Sequence, residues 1–279
     1  MGYFEKNYNW DDCNMVSQYD ELPLWSSYFG QLLLDNIPLK NYRNYLDIGC
    51  GTGFPLIDIS QKIGNGCKSY GIDPWCRALE RIKLKLRTLE LSGIELIEST
   101  ANEIPFEDEY FDFITSNLGV NNFSEPEKVI SECFRVLQNT GTMSITSNLT
   151  GTFHEFYEIF KDTLIESGLN KYLVPFQEHV NHRGTVSTIS HLFTDTGFII
   201  KKSIESSFYM RFLDGSAFLN HSVILSGFST AWRNLFATNE IEPFFRKLEK
   251  KLNEYAQKYS EFKVSIPMLY LECEKIRSK

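Results

Sequence analysis

Three glycines at alternate positions, Gly49, Gly51 and Gly53, close the stretch "YLDIGCGTGFP". A glycine turn after an apolar run lets a ligand approach the backbone closely. Asp47 precedes the turn, placed to fix the loop or to hold an ammonium group. Asp73 follows about 20 residues later, the separation at which an acid accepts hydrogen bonds from ribose hydroxyls. Phe54 stands where the dinucleotide pattern GxGxxG wants its third glycine, and the Gly-Lys-Ser/Thr ending of a phosphate loop is absent. A ligand with ribose, adenine and an amino-acid tail, and no phosphate, suits these groups.

Proton transfer to or from a second reactant turns attention to the five histidines. His154, His182 and His221 are the foremost candidates, with His179 in the same polar run "EHVNHRGT" and His191 inside a predicted helix. Tyr209 and Arg211 are candidates to orient an anionic reactant, although Arg211 equally suits a nearby acid. The six cysteines are scattered without a CxxC pair, so they read as reduced, mostly core thiols, and no metal site is expected.

The elements that must position these groups alternate. Strands are predicted at "YLDIG", "SYGID", "IELIES", "YFDFITSN" and "TGTMSITS". Helices fall between them: "SQKIG" closes one, "PWCRALERIKLKLRTLELSG" runs to Gly93, and Ser124 with Glu127 forms a capping box before "KVISECFRVL". An apolar helical pattern over Leu24 to Ile37 precedes the first strand. Further helices are expected at "HEFYEIFKDTLIESG", "VSTISHLFTDTG" and "IEPFFRKLEKKLNEYAQKY", a sixth strand at "FIIKKSIE" and a seventh at "FKVSIPMLYLECEK". Such alternation indicates an α/β, doubly wound, mostly parallel sheet.

Composition narrows the partners. The 279 residues carry 36 acidic and 28 basic side chains, a formal charge of -8. That field repels phosphate backbones and anionic membranes, so no nucleic-acid or membrane partner is expected. The first residues lack the blocks of a signal peptide, no apolar run could span a bilayer, and Lys6 replaces the Ser or Thr of a myristoylation motif. A cytoplasmic location is therefore expected; the oligomeric state is left open.

"LDIGCGTG", "GID" and "IPFEDEYFDFI" resemble the successive motifs of class I S-adenosylmethionine-dependent methyltransferases, in the small-molecule group that includes the ubiquinone/menaquinone-biosynthesis C-methyltransferases. The resemblance implies a seven-stranded Rossmann-like sheet with its last strand antiparallel. It implies S-adenosyl-L-methionine as methyl donor and S-adenosyl-L-homocysteine as product. By position, Gly49, Gly51, Gly53 and Asp47 would lie at the methionine part, Asp73 at the ribose diol, and Pro74 or Trp75 at the adenine. Thr100, Ala101 and Asn102 replace the family's Asp-Ala at the adenine amino group, and Asn117 and Leu118 would lie beneath the sulfonium. Tyr19, Trp25, Ser26 and Tyr28 are candidates to cover the cofactor.

In that fold the sixth and seventh strands meet at the carboxyl face of the sheet. The expected organisation of the single domain 1–279 is a helical cover over 1–40, a cofactor core over 41–148, the rest of the sheet over 149–205 and 264–279, and a helical lid over 206–263 above the acceptor. The "SNLGVNNF" after the fourth strand lacks the Asn/Asp-Pro-Pro-aromatic motif of amino-methylating DNA enzymes, and no Pro-Cys nucleophile is present. A small organic acceptor is expected. A non-catalytic binding subunit and a peptide methyltransferase are the alternatives.

Overall fold

The computed structural model describes residues 2–276. Met1 and the last three residues of the expected 264–279 segment lie outside the described residues. The chain divides into two compact units. A sheet unit comprises residues 10–148, 185–206 and those from 268 on; a helical unit comprises residues up to Asn9, 149–184 and 207–267.

The sheet unit opens with α1 (Cys13–Glu21) and α2 (Ser26–Leu34), then runs β1 (Asn44–Ile48), α3 (Leu56–Ile63), β2 (Lys68–Asp73), α4 (Cys76–Thr88), β3 (Ile94–Glu98), β4 (Phe111–Asn117), α5 (Pro126–Val136) and β5 (Leu137–Asn148). The helical unit begins with α6 (His154–Glu166) and α7 (Leu173–Asn181); α8 (Val186–Thr194) returns to the sheet unit. β6 (Phe198–Phe212) and β7 (Phe262–Lys275) have residues in both units, and between them the helical unit adds α9 (Gly215–Asn220), α10 (Ser222–Gly227), α11 (Ser229–Arg233) and α12 (Thr238–Tyr259).

The seven strands lie in the order β3-β2-β1-β4-β5-β7-β6. Pairs among β1 to β5 are parallel, and β7 runs antiparallel to β5. This is the expected doubly wound sheet, and the reversal of strand order between β1 and β4 creates the crevice where such sheets bind ligands. Tyr45, Leu46, Asp47 and Ile48 of β1 are all buried, as a central strand covered on both faces requires. Leu33, Leu56, Ile59, Leu79 and Ile82 pack with Tyr45, Phe113 and Tyr270 in one core cluster. At the amino edge, the Asp112 carboxylate accepts the N–H groups of Arg43 at 2.7 Å and Asn44 at 3.1 Å, pinning the entry to β1 against β4. Cys50, Cys67, Cys133 and Cys273 are buried.

Several local expectations are corrected. α1 forms in a stretch too polar to show helical periodicity, capped by Asp12, whose side chain accepts from the Asn14 N–H. α4 ends at Thr88, five residues before Gly93. α5 starts with Pro126 at its first turn and Glu125 as N-cap without a side-chain bond, so the Ser124–Glu127 box does not form. The capping box is instead at α8, between Thr185 and Thr188. β6 continues seven residues past Glu205, which makes Tyr209 and Arg211 strand residues.

The helical unit is an aromatic core. Trp232 is fully buried and packs on Phe156 with ring centroids 4.4 Å apart; Phe160 stacks on Phe176 at 4.8 Å, and Phe236 meets Phe244 at 4.5 Å. Burying such rings is the largest apolar contribution available per residue. Arg233 donates to the Phe4 carbonyl at 2.9 Å and to Asn7 at 3.1 Å, fastening the first residues to α11. No helix among the described residues is long and apolar enough to cross a membrane.

Candidate functional site

The crevice of the sheet unit is built around the loop after β1. Gly49, Gly51 and Gly53 have φ of +71°, +51° and +101°, the left-handed region that side chains disfavour. The N–H groups of Gly49 and Cys50 both point to the Ile72 carbonyl, at 2.9 and 3.3 Å, tying the turn to the end of β2. A Cβ on Gly51 would touch nothing within 4 Å, so open space lies beside the loop. A Cβ on Gly53 would instead stand 3.0 Å from Ile57 and 3.1 Å from Ile82. Gly53 thus serves helix packing, and Gly51 serves access. Phe54 occupies its unusual place because its ring lies against Gly30 of α2, where a Cβ would be 2.1 Å from Phe54 Cε1.

Asp47 is 1 % exposed at the end of β1. Its Oδ1 accepts the Thr115 hydroxyl at 2.7 Å, and Thr115 Oγ1 is 2.7 Å from the Tyr45 hydroxyl. With its own proton committed to Asp47, Thr115 accepts from Tyr45. Asp47 Oδ2 is buried with no hydrogen-bond partner. Burial, reinforced by the charge of Asp73 and opposed by Thr115, pushes the carboxyl up to about 7. A buried, unmatched carboxylate oxygen is costly by itself and well suited to an ammonium group.

Both oxygens of Asp73 already hold backbone. Oδ2 accepts the Gly51 N–H and Oδ1 the Trp75 N–H, each at 2.8 Å. Each carboxylate oxygen retains a second lone-pair direction, which leaves room for a diol. Burial raises the Asp73 pKa and the two N–H groups oppose it. Beside it Trp10, Tyr19 and Trp75 form a triangle of edge-on rings with centroids 5.5 to 5.6 Å apart. Trp75 Nε1 donates to the Trp10 carbonyl at 3.0 Å. Desolvation of its hydroxyl, then the charge of Asp73, raise the Tyr19 pKa, with Ser26 opposing. Pro74 is exposed next to this triangle.

α1 is clamped to the loop through Asp20. That carboxylate, 6 % exposed, pairs with Arg81 at 2.7 Å and with Lys85, and Lys85 also donates to the Thr52 carbonyl at 2.9 Å. Burial pushes the Asp20 carboxyl up, but the hydrogen bonds from Lys85 and Arg81 win and hold it below its usual range. On the β4 side, Asn117 donates to the Ser26 carbonyl at 3.2 Å and accepts from Thr146 at 2.7 Å. Leu118 follows with φ of +66°, a strained non-glycine position of the kind found at ligand sites. Trp25 packs on Phe29 at 5.5 Å, and Tyr28 is half exposed. Thr100 is exposed, Ala101 is buried, and Asn102 donates to Glu125 at 2.6 Å.

The sheet unit therefore gathers Asp47, the glycines, Asp73, Trp75, Tyr19, Ser26, Asn117 and Leu118 around the end of β1. Trp10, Thr115, Asp20 and Lys85 were not singled out by sequence reasoning; the "YDELP" run holding Asp20 offered the only signal. The three foremost histidines lie in the helical unit. His154 is exposed at the start of α6. His182, at the end of α7, donates from Nδ1 to the His179 carbonyl, so in the neutral ring Nε2 keeps its lone pair. Burial and then the Arg183 charge hold His182 low, against the carbonyl bond. His179 Nε2 is 3.3 Å from the Tyr157 hydroxyl, which accepts from Trp232 Nε1 at 3.2 Å. Burial, with His182 and Arg183, lowers His179 to about 4. His221 lies 5.3 Å from the Phe212 ring, its Nδ1 buried without a partner, and burial lowers its pKa. Arg211 pairs with Glu261 at 2.6 Å and Tyr209 carries Lys263 over its ring at 4.0 Å, so both are occupied on the strand surface.

A sheet of this order, with a glycine loop, two buried carboxylates and no phosphate-binding lysine at the loop, defines a class I methyltransferase architecture. Comparison with known proteins agrees: residues 46–145 match the family model described as a methyltransferase domain. The demethylmenaquinone methyltransferase of Oceanobacillus iheyensis is 32% identical over 163 residues, which cover 57% of this chain and 67% of that protein. That of Bacillus licheniformis is 33% identical over 141 residues, covering 50% of this chain and 58% of that protein. The chain thus spans about half to three quarters of the length of the curated relatives it matches. Among solved structures, the YcgJ protein of Bacillus subtilis superposes with a TM-score of 0.59 at 15% identity, covering 90% of this chain and all of that one. The BH2331 protein of Bacillus halodurans gives 0.57 at 17% identity, covering 91% and all, and these two likenesses establish the fold. The chain belongs to the class I S-adenosylmethionine-dependent methyltransferase family.

Proposed function

We propose that the protein transfers a methyl group from S-adenosylmethionine to a small organic acceptor. The observation that carries this reading is the unpartnered Oδ2 of Asp47, buried below a loop whose Gly51 opens onto free space. The sulfonium cofactor would supply an electrophilic methyl group. Asp47 would hold its ammonium, Asp73 its ribose hydroxyls, and Trp10, Tyr19 and Trp75 would shield its base. Asn117 and Leu118, with Trp25 and Ser26, would complete the wall. Asn102 is committed to Glu125, so contact at the adenine edge falls to Thr100 and Ala101.

The acceptor is assigned to the helical unit, including the 206–263 segment read as a lid, whose aromatic interior would exclude water from an organic molecule. His182 is the first histidine to test for proton removal there, because a carbonyl holds its Nδ1 proton and leaves the Nε2 lone pair free on an exposed residue. The demethylmenaquinone methyltransferases among its relatives make a quinone-like acceptor the first class to try.

The test is to incubate the protein with S-adenosylmethionine and a panel of phenols, quinols and organic acids, and to measure S-adenosylhomocysteine. Acceptor-dependent release supports the reading. Release only with peptides or proteins would overturn the small-acceptor assignment, and cofactor binding without any release would favour a binding subunit.

A further inference from the structure

β6 stands at one end of the strand order, with β7 as its one neighbour among the described residues. Its first part, residues 198–206, belongs to the sheet unit. Within it Ile199, Lys201, Lys202, Ser203, Glu205 and Ser206 are exposed. No loop or helix backbone among the described residues bonds to residues 199–206. An edge left this way offers a row of N–H and C=O groups to a further strand. Proteins commonly blunt such edges with lysine, and Lys201 and Lys202 would turn away a strand that set positive charges against them.

The charges on this edge are not all of one sign. Glu205 is exposed and forms no hydrogen bond or ion pair with any described residue. It stands four residues beyond Lys201, about 13 Å along a strand, too far for the two to meet within one chain. Lys201 Nζ is 3.7 Å from Glu274 of β7, and Lys202 donates to Asn36 at 2.8 Å. Symmetry then selects one register. When two identical strands pair antiparallel, residues directly opposite share a face, so the two-fold axis passes through a residue that faces its own copy. An axis at Lys202 sets that lysine against itself, and axes at Lys201 or Glu205 likewise oppose like charges. An axis at Ile204 sets Lys201 and Lys202 against serines. An axis at Ser203 sets Lys201 against Glu205, once on each side of the axis.

We propose that residues 200–206 of β6 form a two-fold interface with a second copy of this chain, antiparallel about Ser203. In this register Lys201 of each copy faces the partner's Glu205, with Cβ atoms about 5 Å apart, so an ion pair forms on each side of the axis. On the other face Lys202 lies against the partner's Ile204, its alkyl stem covering the apolar side chain while its ammonium keeps Asn36. Backbone hydrogen bonds supply the affinity, and the paired charges fix the register. The same surface serves both copies, so the pairing closes at two and each edge covers the other.

The experiment follows the full chain by sedimentation velocity over about 5–100 µM, at low and at high salt. The wild type should interconvert between monomer and dimer, with the dimer weakened by salt. Lys201→Glu and Glu205→Lys should each raise the dimer dissociation constant at least tenfold, because like charges then face each other. The double variant Lys201→Glu/Glu205→Lys should return to within threefold of the wild type. Register is read by disulfide formation in a Cys13→Ser background, which removes an exposed native thiol. Ser203→Cys should link two copies under mild oxidation, because its Cα faces its own copy at about 5 Å. Ser206→Cys, about 20 Å from its own copy, should not link. A wild type that stays monomeric at the highest concentration overturns the proposal, as does an assembly larger than two. Dimers that persist in both single charge variants overturn it, as does a double variant that fails to restore them, or Ser206→Cys linking as readily as Ser203→Cys. Should a charge variant misfold by circular dichroism, the two cysteine variants decide alone.

Discussion

Asp73 Oδ2 accepts the Gly51 N–H at 2.8 Å, so the acid at the end of β2 holds the glycine loop at the end of β1. Its other oxygen holds the Trp75 N–H at the same distance. Asp73 therefore shapes the site as well as offering it an acceptor. Replacement by Asn would turn an amide N–H₂ toward one of these donors. Asp73→Asn is expected to cost about 1–3 kcal/mol of stability, read by urea denaturation, and to weaken cofactor binding in calorimetry. Unchanged stability with weakened binding would mean that the two backbone contacts carry no weight.

Asp47 predicts a trade between stability and binding. Its folded pKa lies near 7, above its ordinary 3.8, because burial disfavours the charge. The associated stability is fully present below about pH 4 and is lost as pH rises through about 7. Asp47→Asn removes that loss, so without cofactor it should be more stable than the wild type at pH 8 by as much as ~4 kcal/mol, and little different at pH 4. An ammonium needs the ionised carboxylate. Wild-type affinity for S-adenosylhomocysteine should accordingly rise toward pH 7, and Asp47→Asn should bind at least tenfold more weakly at pH 8. Thermal melts and calorimetry at the two pH values check both signs.

The Asp20 clamp acts in the opposite sense. Its carboxyl is held below the usual range by Lys85 and Arg81, so its contribution is present above about pH 4 and is lost as pH falls further. Removing one member of a buried pair costs about 3–5 kcal/mol, and the quarter exposure of Arg81 and Lys85 reduces this to roughly 2–3. Asp20→Asn should show that loss at neutral pH. It should also speed cofactor release, because Lys85 reaches the Thr52 carbonyl of the glycine loop. Stopped-flow displacement measures the rate.

The sheet was legible because central strands buried on both faces read as apolar runs and glycine punctuates their ends. The glycine loop and Asp73 were legible for the same reason: their chemistry is local in sequence. What was hidden depends on distant partners. Thr115 is an ordinary strand residue until β4 pairs with β1 and brings its hydroxyl to Asp47. Asp20 looks like a surface acid until α4 supplies Arg81 and Lys85. β6 outran its expected end because Glu205, Ser206 and Ser207 interrupt the apolar pattern; beyond them Phe208, Met210 and Phe212 alternate in burial with the exposed Tyr209 and Arg211, which are held by Lys263 and Glu261.

If the open space beside the glycine loop holds the methyl donor, a methyl group added at Gly51 should obstruct it. Its left-handed φ of +51° costs alanine only about 1–2 kcal/mol, and a Cβ there meets no protein atom within 4 Å. The measurement is calorimetric titration of S-adenosylhomocysteine into wild type and Gly51→Ala, with thermal melts confirming that both are folded. The wild type should bind one-to-one, and the variant at least tenfold more weakly. Equal affinity in the two proteins would contradict this placement of the donor.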